Sequence, residues 1–237
     1  MKKKNIFLCG DIHGDLKELS WTLTEKLGLQ DISCIVLGDF GTGFGGPNST
    51  NVLYDSVKGK LEKNNIRLYA IRGNHDDPSY FDGQHNYPRL VFLKDHTLVN
   101  IDGWDIYPIG GAQSTDMDER LKENAKNESR GNNRRVWWPD ERPNMDIHKF
   151  PGRAEVIISH TAPISFDPVV TRQSEMSSTI YNNIVEERTY LSEPLTEIRA
   201  DYWFYGHFHD HFSGTYGNLI YRGLGIKELF ELRCQED

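Results

Sequence analysis

Five short apolar runs are spaced along the chain, and each stops at a polar cluster rich in histidine, aspartate or asparagine. "IFLCG" leads into Asp11-Ile12-His13, "SCIVLG" into Asp39, and "IRLYAIRG" into Asn74-His75-Asp76. "AEVIIS" leads into His160, and "DYWFYG" into His207-Phe208-His209. Runs of this length, rich in Ile, Val, Leu, Tyr and Phe and bounded by turn residues, predict buried strands. Between the first three lie two helical patterns. Leu16, Leu19, Leu23 and Leu27 recur at helical spacing before Gly28, which supplies a C-terminal stop. Leu53, Val57 and Leu61 repeat at four-residue steps in a second helix, with Ser49 placed to cap it. The first third therefore reads β-α-β-α-β, which demands parallel strands joined by right-handed crossovers. Ligands of such sheets bind beyond the carboxyl ends of the strands, where all five polar clusters fall. Further on, "HTLVNIDGWDIYPIGG" holds two short runs about Asp102-Gly103, a hairpin signal, and "NLIYRGLG" reads as one more strand. A second, more antiparallel sheet packed on the first accommodates them.

Residues 114–153 interrupt this pattern. The segment is polar, carries nine Lys/Arg against eight Asp/Glu, and includes Trp137-Trp138 as an exposed pair. A loop this long in a compact domain is usually functional or unstructured. It is expected to be a partly helical excursion across the active-site face of one domain spanning residues 1–237.

Composition removes several classes. Hydrophobic residues make up 37% of the 237 and charged residues 26%, the balance of an ordinary globular chain. No apolar run approaches membrane-spanning length. The opening "MKKKNIFLCGD" has too short an apolar stretch for a secretory signal and predicts a first strand behind a basic tail. Cys9 and Cys34 sit inside apolar runs and, with Cys234, make an odd count, so free thiols in a reducing, cytoplasmic compartment are expected. A net charge of −8 argues against an extended nucleic-acid partner, though not against a small positive pocket.

The chemistry lies in the strand-end clusters. Asp and Asn oxygens with His nitrogens form a borderline-hard donor set suited to Mn, Fe, Zn, Co or Ni rather than Ca or Mg. There are seven candidate ligands: Asp11, His13, Asp39, Asn74, His160, His207 and His209. One ion rarely uses seven side chains, but two ions sharing a bridging carboxylate can, and such pairs serve displacement at phosphorus. Taken singly, Asp-x-His or Gly-Asp is more often a turn or a helix cap. "GNHD" and "GHFH" are more distinctive, and five sites in one order weigh more than any of them. In "GHFHDH", alternate side chains of an extended segment share a face, so His207, His209 and His211 could all meet at one point. His85, His96 and His148 fall in loop-like contexts that suit surface or hydrogen-bonded roles. The glycine-rich "GDFGTGFGGPNS" lacks the Gly-Lys-Ser/Thr ending of a phosphate loop and reads as a turn into the second helix.

Through "GDIHG", "GDF", "GNHD", "SH" and "GHFH", spanning Cys9 to His209, the sequence resembles the calcineurin-like metallophosphoesterases. The resemblance implies a four-layer α/β/β/α sandwich of two mixed sheets flanked by helices. It implies that Asp11, His13 and His209 hold one metal, that Asn74, His160 and His207 hold another, and that Asp39 bridges them. Manganese is the favoured ion. His75 would face the substrate as general acid, with Asp76 orienting it, and His211 would lie outside the ligand set. The implied activity is hydrolysis of a phosphate mono- or diester of a small phosphorylated substrate, by attack of a hydroxide bridging the two ions. "GDIHG" also resembles phosphoprotein phosphatases and diadenosine polyphosphate hydrolases. However, no arginine follows Asp39, and the third motif ends in Asp76 rather than glutamate. The segments "GGA-x-S-x-D" (Gly110 to Asp116) and "WW-P-x-E" (Trp137 to Glu141) are more similar to small bacterial and phage members. Arg120, Arg134 and Arg135 are candidates for the missing phosphate clamp, against a plain reading as solvated charges. The alternatives are a non-enzymatic metal-binding scaffold or protein-binding module on the same fold, and a metal hydrolase acting away from phosphorus.

Overall fold

The computed structural model describes residues 3–46, 48–166 and 176–234. Its first sheet contains β1 (Ile6–Cys9), β2 (Ser33–Val36), β3 (Arg67–Ala70), β4 (Leu90–Phe92) and β11 (Leu229–Leu232). The order is β11-β1-β2-β3-β4, with β1 to β4 parallel and β11 antiparallel at the edge. The second sheet contains β5 (Val99–Ile101), β6 (Trp104–Ile109), β7 (Val156–Ser159), β8 (Tyr202–Tyr205), β9 (Phe212–Tyr216) and β10 (Leu219–Gly223). Its order is β5-β6-β7-β8-β10-β9. Antiparallel pairing is confined to its rims, while β6, β7, β8 and β10 run parallel. The second sheet is thus mixed with a parallel centre, rather than mainly antiparallel. Hairpins leave a local signal such as Asp102-Gly103, where both residues have positive φ, whereas parallel pairing of distant runs leaves none.

The strand alternation builds the layers. Ile6 and Leu8 point into a core shared by the two sheets, with Ile35, Ile106, Val156 and Phe204. Phe7 and Cys9 point the other way, onto α1 (Leu16–Trp21) and α2 (Ser49–Lys63). A third core lies under the outer face of the second sheet, where Trp203 and Tyr205 meet Tyr190 and Leu191 around α4 (Ser178–Tyr190) and α5 (Ser192–Glu197). The result is two mixed sheets face to face, flanked by helices. Among the described residues, no helix is long and apolar enough to cross a membrane.

Two helix details differ from expectation. After Trp21, α1 widens into a π-type turn, in which the Leu27 N–H reaches back five residues to Thr22. The wider turn shifts the phase, so Leu16, Leu19 and Leu23 are buried while Leu27 is 47% exposed. Ser49 is the first residue of α2 rather than its cap, and its hydroxyl donates to the Gly46 carbonyl. The remaining helix, α3 (Met117–Ser129), belongs to the polar excursion.

Candidate metal centre

Strand ends from both sheets meet at one edge of the sandwich. Turns after β1, β2 and β3 bring Asp11, His13, Asp39, Asn74 and His75, and turns after β7 and β8 bring His160, His207 and His209. Of the nine non-glycine residues with positive φ among those described, four are His13, Asp39, His207 and His209. Such backbone is held only where surrounding structure enforces it, and it clusters at functional sites. The convergence of His207 and His209 comes from this turn geometry, because β8 ends at Tyr205 and the histidine run is not extended. Close approach explains the glycines beside these residues. A Cβ on Gly73 would collide with Asp39 Oδ1, and one on Gly206 would collide with Asp11 Oδ1.

Asp39 stands at the middle. Its Oδ1 accepts the His75 main-chain N–H at 2.8 Å and lies 3.2 Å from His160 Nε2. Its Oδ2 lies 3.7 Å from His13 Nδ1. Asp11 accepts the His207 main-chain N–H at 3.1 Å, and its Oδ2 is 3.2 Å from His209 Nε2. Asn74 Oδ1 lies 3.0 Å from His160 Nε2 and 3.1 Å from His207 Nδ1. Burial alone would raise the Asp39 carboxyl, but His75, His160 and His13 outweigh it and hold that group well below the usual carboxylate range. His160 is also dried by burial, yet Asp39 and Asp11 push it up to about 9.

Asp11, His13, Asp39 and His209 each offer a ligand atom, and those atoms all lie within 4.8 Å of one another. His13 Nε2 and His209 Nε2 are only 3.1 Å apart, as co-ligands of one ion would be. Two buried carboxylates with imidazole nitrogens fit a borderline divalent cation, and the group forms a candidate metal-binding site.

His75 sits at the edge of this cluster, 3.8 Å from Asp39 Oδ2 through Nε2. Burial pushes it down to about 4; Asp39 opposes that shift, while Arg120 and His13 reinforce it. Asp76 does not hydrogen-bond the His75 ring. Its carboxylate instead accepts the main-chain N–H groups of Phe40, Gly41, Thr42 and Gly73 at 2.7–3.1 Å. It therefore ties the loop after Asp39 to the loop carrying Asn74 and His75, and positions the ring only through the backbone. His211 lies apart, with Nδ1 2.9 Å from Glu228. His85, His96 and His148 pair with Asp82, the Tyr107 hydroxyl and Glu193.

Of the three arginines, Arg120 on α3 reaches the centre. Buried, it donates to the Asn74 carbonyl at 3.1 Å, contacts His75 Nε2, and is braced by Asp116 at 2.8 Å. Arg134 donates to the Phe44 carbonyl instead, and Arg135 is exposed. Trp138 is buried rather than exposed, with its ring 6.3 Å from that of Phe44; Trp137 is half-buried.

Ser114 and Glu141, within the segments noted above, have a role that sequence reasoning did not assign. Asn74 Nδ2 donates to Ser114 Oγ at 3.1 Å, and Ser114 Oγ donates to Glu141 Oε2 at 2.5 Å. Glu141 Oε1 accepts from the Ser114 N–H at 2.9 Å and from Gln113 Nε2 at 3.2 Å, and Gln113 Oε1 accepts from Asn183 at 2.8 Å. Because the amide nitrogen of Asn74 is committed to Ser114, its oxygen must face His160 and His207. The separations of Ser114 from Glu141 and of Asn74 from Ser114 are both too long-range for any local pattern to reveal.

Residues 4–211 match the sequence pattern of calcineurin-like phosphoesterases. No curated protein matches the chain. Among solved structures, the chain is similar to TT1561 of Thermus thermophilus, at 12% identity over 98% of this chain and 99% of that one, with a TM-score of 0.46. It is similar to PptH of Mycobacterium tuberculosis, a phosphopantetheinyl hydrolase, at 13% identity over 94% and 91% of the two chains, TM-score 0.42. GAP50, the anchor in the inner membrane complex of Plasmodium, is similar at 13% identity over 94% and 72%, TM-score 0.42. The matched pattern runs through every strand-end cluster from Asp11 to His209, and the chain belongs to the calcineurin-like phosphoesterase family.

Proposed function

We propose that the protein is a dinuclear metal-dependent phosphoesterase acting on a small phosphorylated substrate, a mono- or diester. The observation that carries this reading is the setting of Asp39, with His13 beside one carboxylate oxygen and His160 beside the other. Asp11, His13 and His209 would hold one ion, Asn74, His160 and His207 the second, and Asp39 both, with manganese the favoured metal. Bound ions would supply activated water and neutralise charge developing on the phosphoryl oxygens.

The chain's own residues do the rest. Glu141 and Ser114 keep the Asn74 oxygen aimed inward. Arg120 offers a fixed positive charge beside His75, in a place where a phosphoryl oxygen can accept from it. His75 is neutral in the free protein; an anionic phosphoryl group beside it raises its affinity for a proton, so donation to the leaving oxygen belongs to the substrate complex. The free cysteines, two of them buried, support a reducing compartment such as the cytoplasm.

The test is elemental analysis of the purified chain, with manganese-supported assay on p-nitrophenyl phosphate and its bis ester beside His75→Ala. Two ions per chain and a collapse of rate in the variant support the enzyme. Two ions without turnover favour a binding module, and no ion overturns the ligand assignment.

A further inference from the structure

Beside the metal centre lies a pocket of about 670 Å³ between the glycine-rich loop and the start of α2. Its volume falls within the about 300–1,000 Å³ typical of small-molecule sites. His13 and His75 form one wall, so the pocket opens directly onto the ligand cluster. Phe44, Val52 and Leu53 supply apolar surface, and glycines of the loop together with the uncharged polar residues Asn48 and Ser49 complete the described lining. Among the described residues, no Asp, Glu, Lys or Arg lines it, in a chain that is 26% charged.

Three features show that this wall is not simply core. Val52 is 67% exposed, so its apolar surface is not consumed by packing. Phe44 is only half-buried, and its ring centre lies 5.0 Å from that of His75. Positive charge stands next to it rather than inside the pocket, with the Arg120 and Arg134 guanidinium carbons 5.8 and 6.0 Å from the Phe44 ring. The chemistry is therefore graded, cationic and anion-accepting at the metal edge and uncharged and apolar behind it.

We propose that this pocket is a subsite for the alcohol portion of the substrate, and that this portion is an uncharged aromatic group of one or two rings. The proposal rests on the phosphoesterase reading, since that reading seats the phosphoryl group at the metal edge. A flat ring entering beside His75 meets the Phe44 ring and the Val52 and Leu53 side chains. A charged alcohol would lose its solvation there without gaining an ionic partner among the described lining residues.

The experiment uses the zinc-loaded chain and three probes: 2-naphthylmethylphosphonate, methylphosphonate and uncharged 2-naphthol. Calorimetry should give the naphthyl phosphonate an affinity at least about tenfold above that of methylphosphonate. Val52→Glu, at an exposed position that leaves the fold intact, should bring that ratio close to one. 2-Naphthol should shift the methyl resonances of Val52 and Leu53. Equal affinities for the two phosphonates in the unaltered chain, an unchanged ratio in Val52→Glu, or unmoved methyl resonances would each overturn the subsite. Should 2-naphthol shift those resonances while the loaded chain cleaves no phosphate ester, the pocket would stand and the phosphoesterase reading would fall.

Discussion

The two flanks of the metal centre are built in opposite ways. On the Asn74 side, Ser114, Glu141, Gln113 and Asn183 form a chain of hydrogen bonds, all but Asn183 buried. On the His13 side, the imidazoles of His13 and His209 are partly exposed, and the glycine-rich loop leaves a pocket next to His13 and His75. One flank holds the Asn74 side-chain oxygen in a single orientation; the other leaves open space. The contrast follows from side-chain chemistry. Buried polar groups must be paired, so they lock their surroundings, whereas glycines and exposed apolar residues lock nothing.

The strongest perturbation is the residue common to both flanks. Asp39→Asn should lower metal content, read by elemental analysis, and reduce kcat/KM on aryl phosphates by about 10³-fold or more, because the two Asp39 oxygens stand beside His13 and His160 respectively. Next comes the closed flank alone. Ser114→Ala or Glu141→Gln frees the Asn74 amide to turn, and should weaken metal affinity by about 10–100-fold in competition with a chelator. An ion held by Asp11, His13 and His209, whose two imidazoles are partly exposed, should lose less than one held through Asn74, which would sharpen the contrast; equal losses would break it.

Arg120 lies between the flanks. Arg120→Ala should reduce kcat/KM by about tenfold or more, and should raise the His75 titration midpoint followed by NMR, since the guanidinium is one of the groups holding that ring at about 4. The smallest effect concerns stability behind the closed flank. Burial pushes Glu187 up to about 8 from an ordinary 4.5, against the pull of Gln113 and Arg142. The folded state therefore holds that proton more tightly than the unfolded chain. Its contribution is full below about pH 4.5 and is lost as pH rises through about 8. Glu187→Gln should flatten that decline and stabilise the protein at pH 8 by on the order of 1–3 kcal/mol in chemical denaturation.

Much of the centre was legible in the chain because its residues sit at strand ends, and strands of Ile, Val, Leu and aromatic residues announce themselves. Asp11, Asp39 and Asn74 each follow such a run within a few positions, and the three-dimensional sheet brings them together. The role of Asp76 was legible only in part: the spacing put it beside His75, but its oxygens turn to the loop of residues 40–42 instead. The segment of residues 114–153 was least legible. Its polarity hid the burial of Arg120, Trp138 and Glu141, because a polar side chain is buried only when a partner elsewhere in the chain is waiting for it.

By itself, then, the order of apolar runs and polar stops determined a parallel β/α start, the edge of the sheet that carries the chemistry, and a donor set suited to a transition metal. These follow from local propensity, period and residue type. Only the tertiary structure decided that the second sheet has a parallel centre, that Glu141 and Ser114 orient Asn74, that Arg120 stands beside His75, and that an apolar pocket opens next to them. Each of these depends on contacts between segments tens of residues apart, and chain closure over such distances leaves no periodic trace in the sequence.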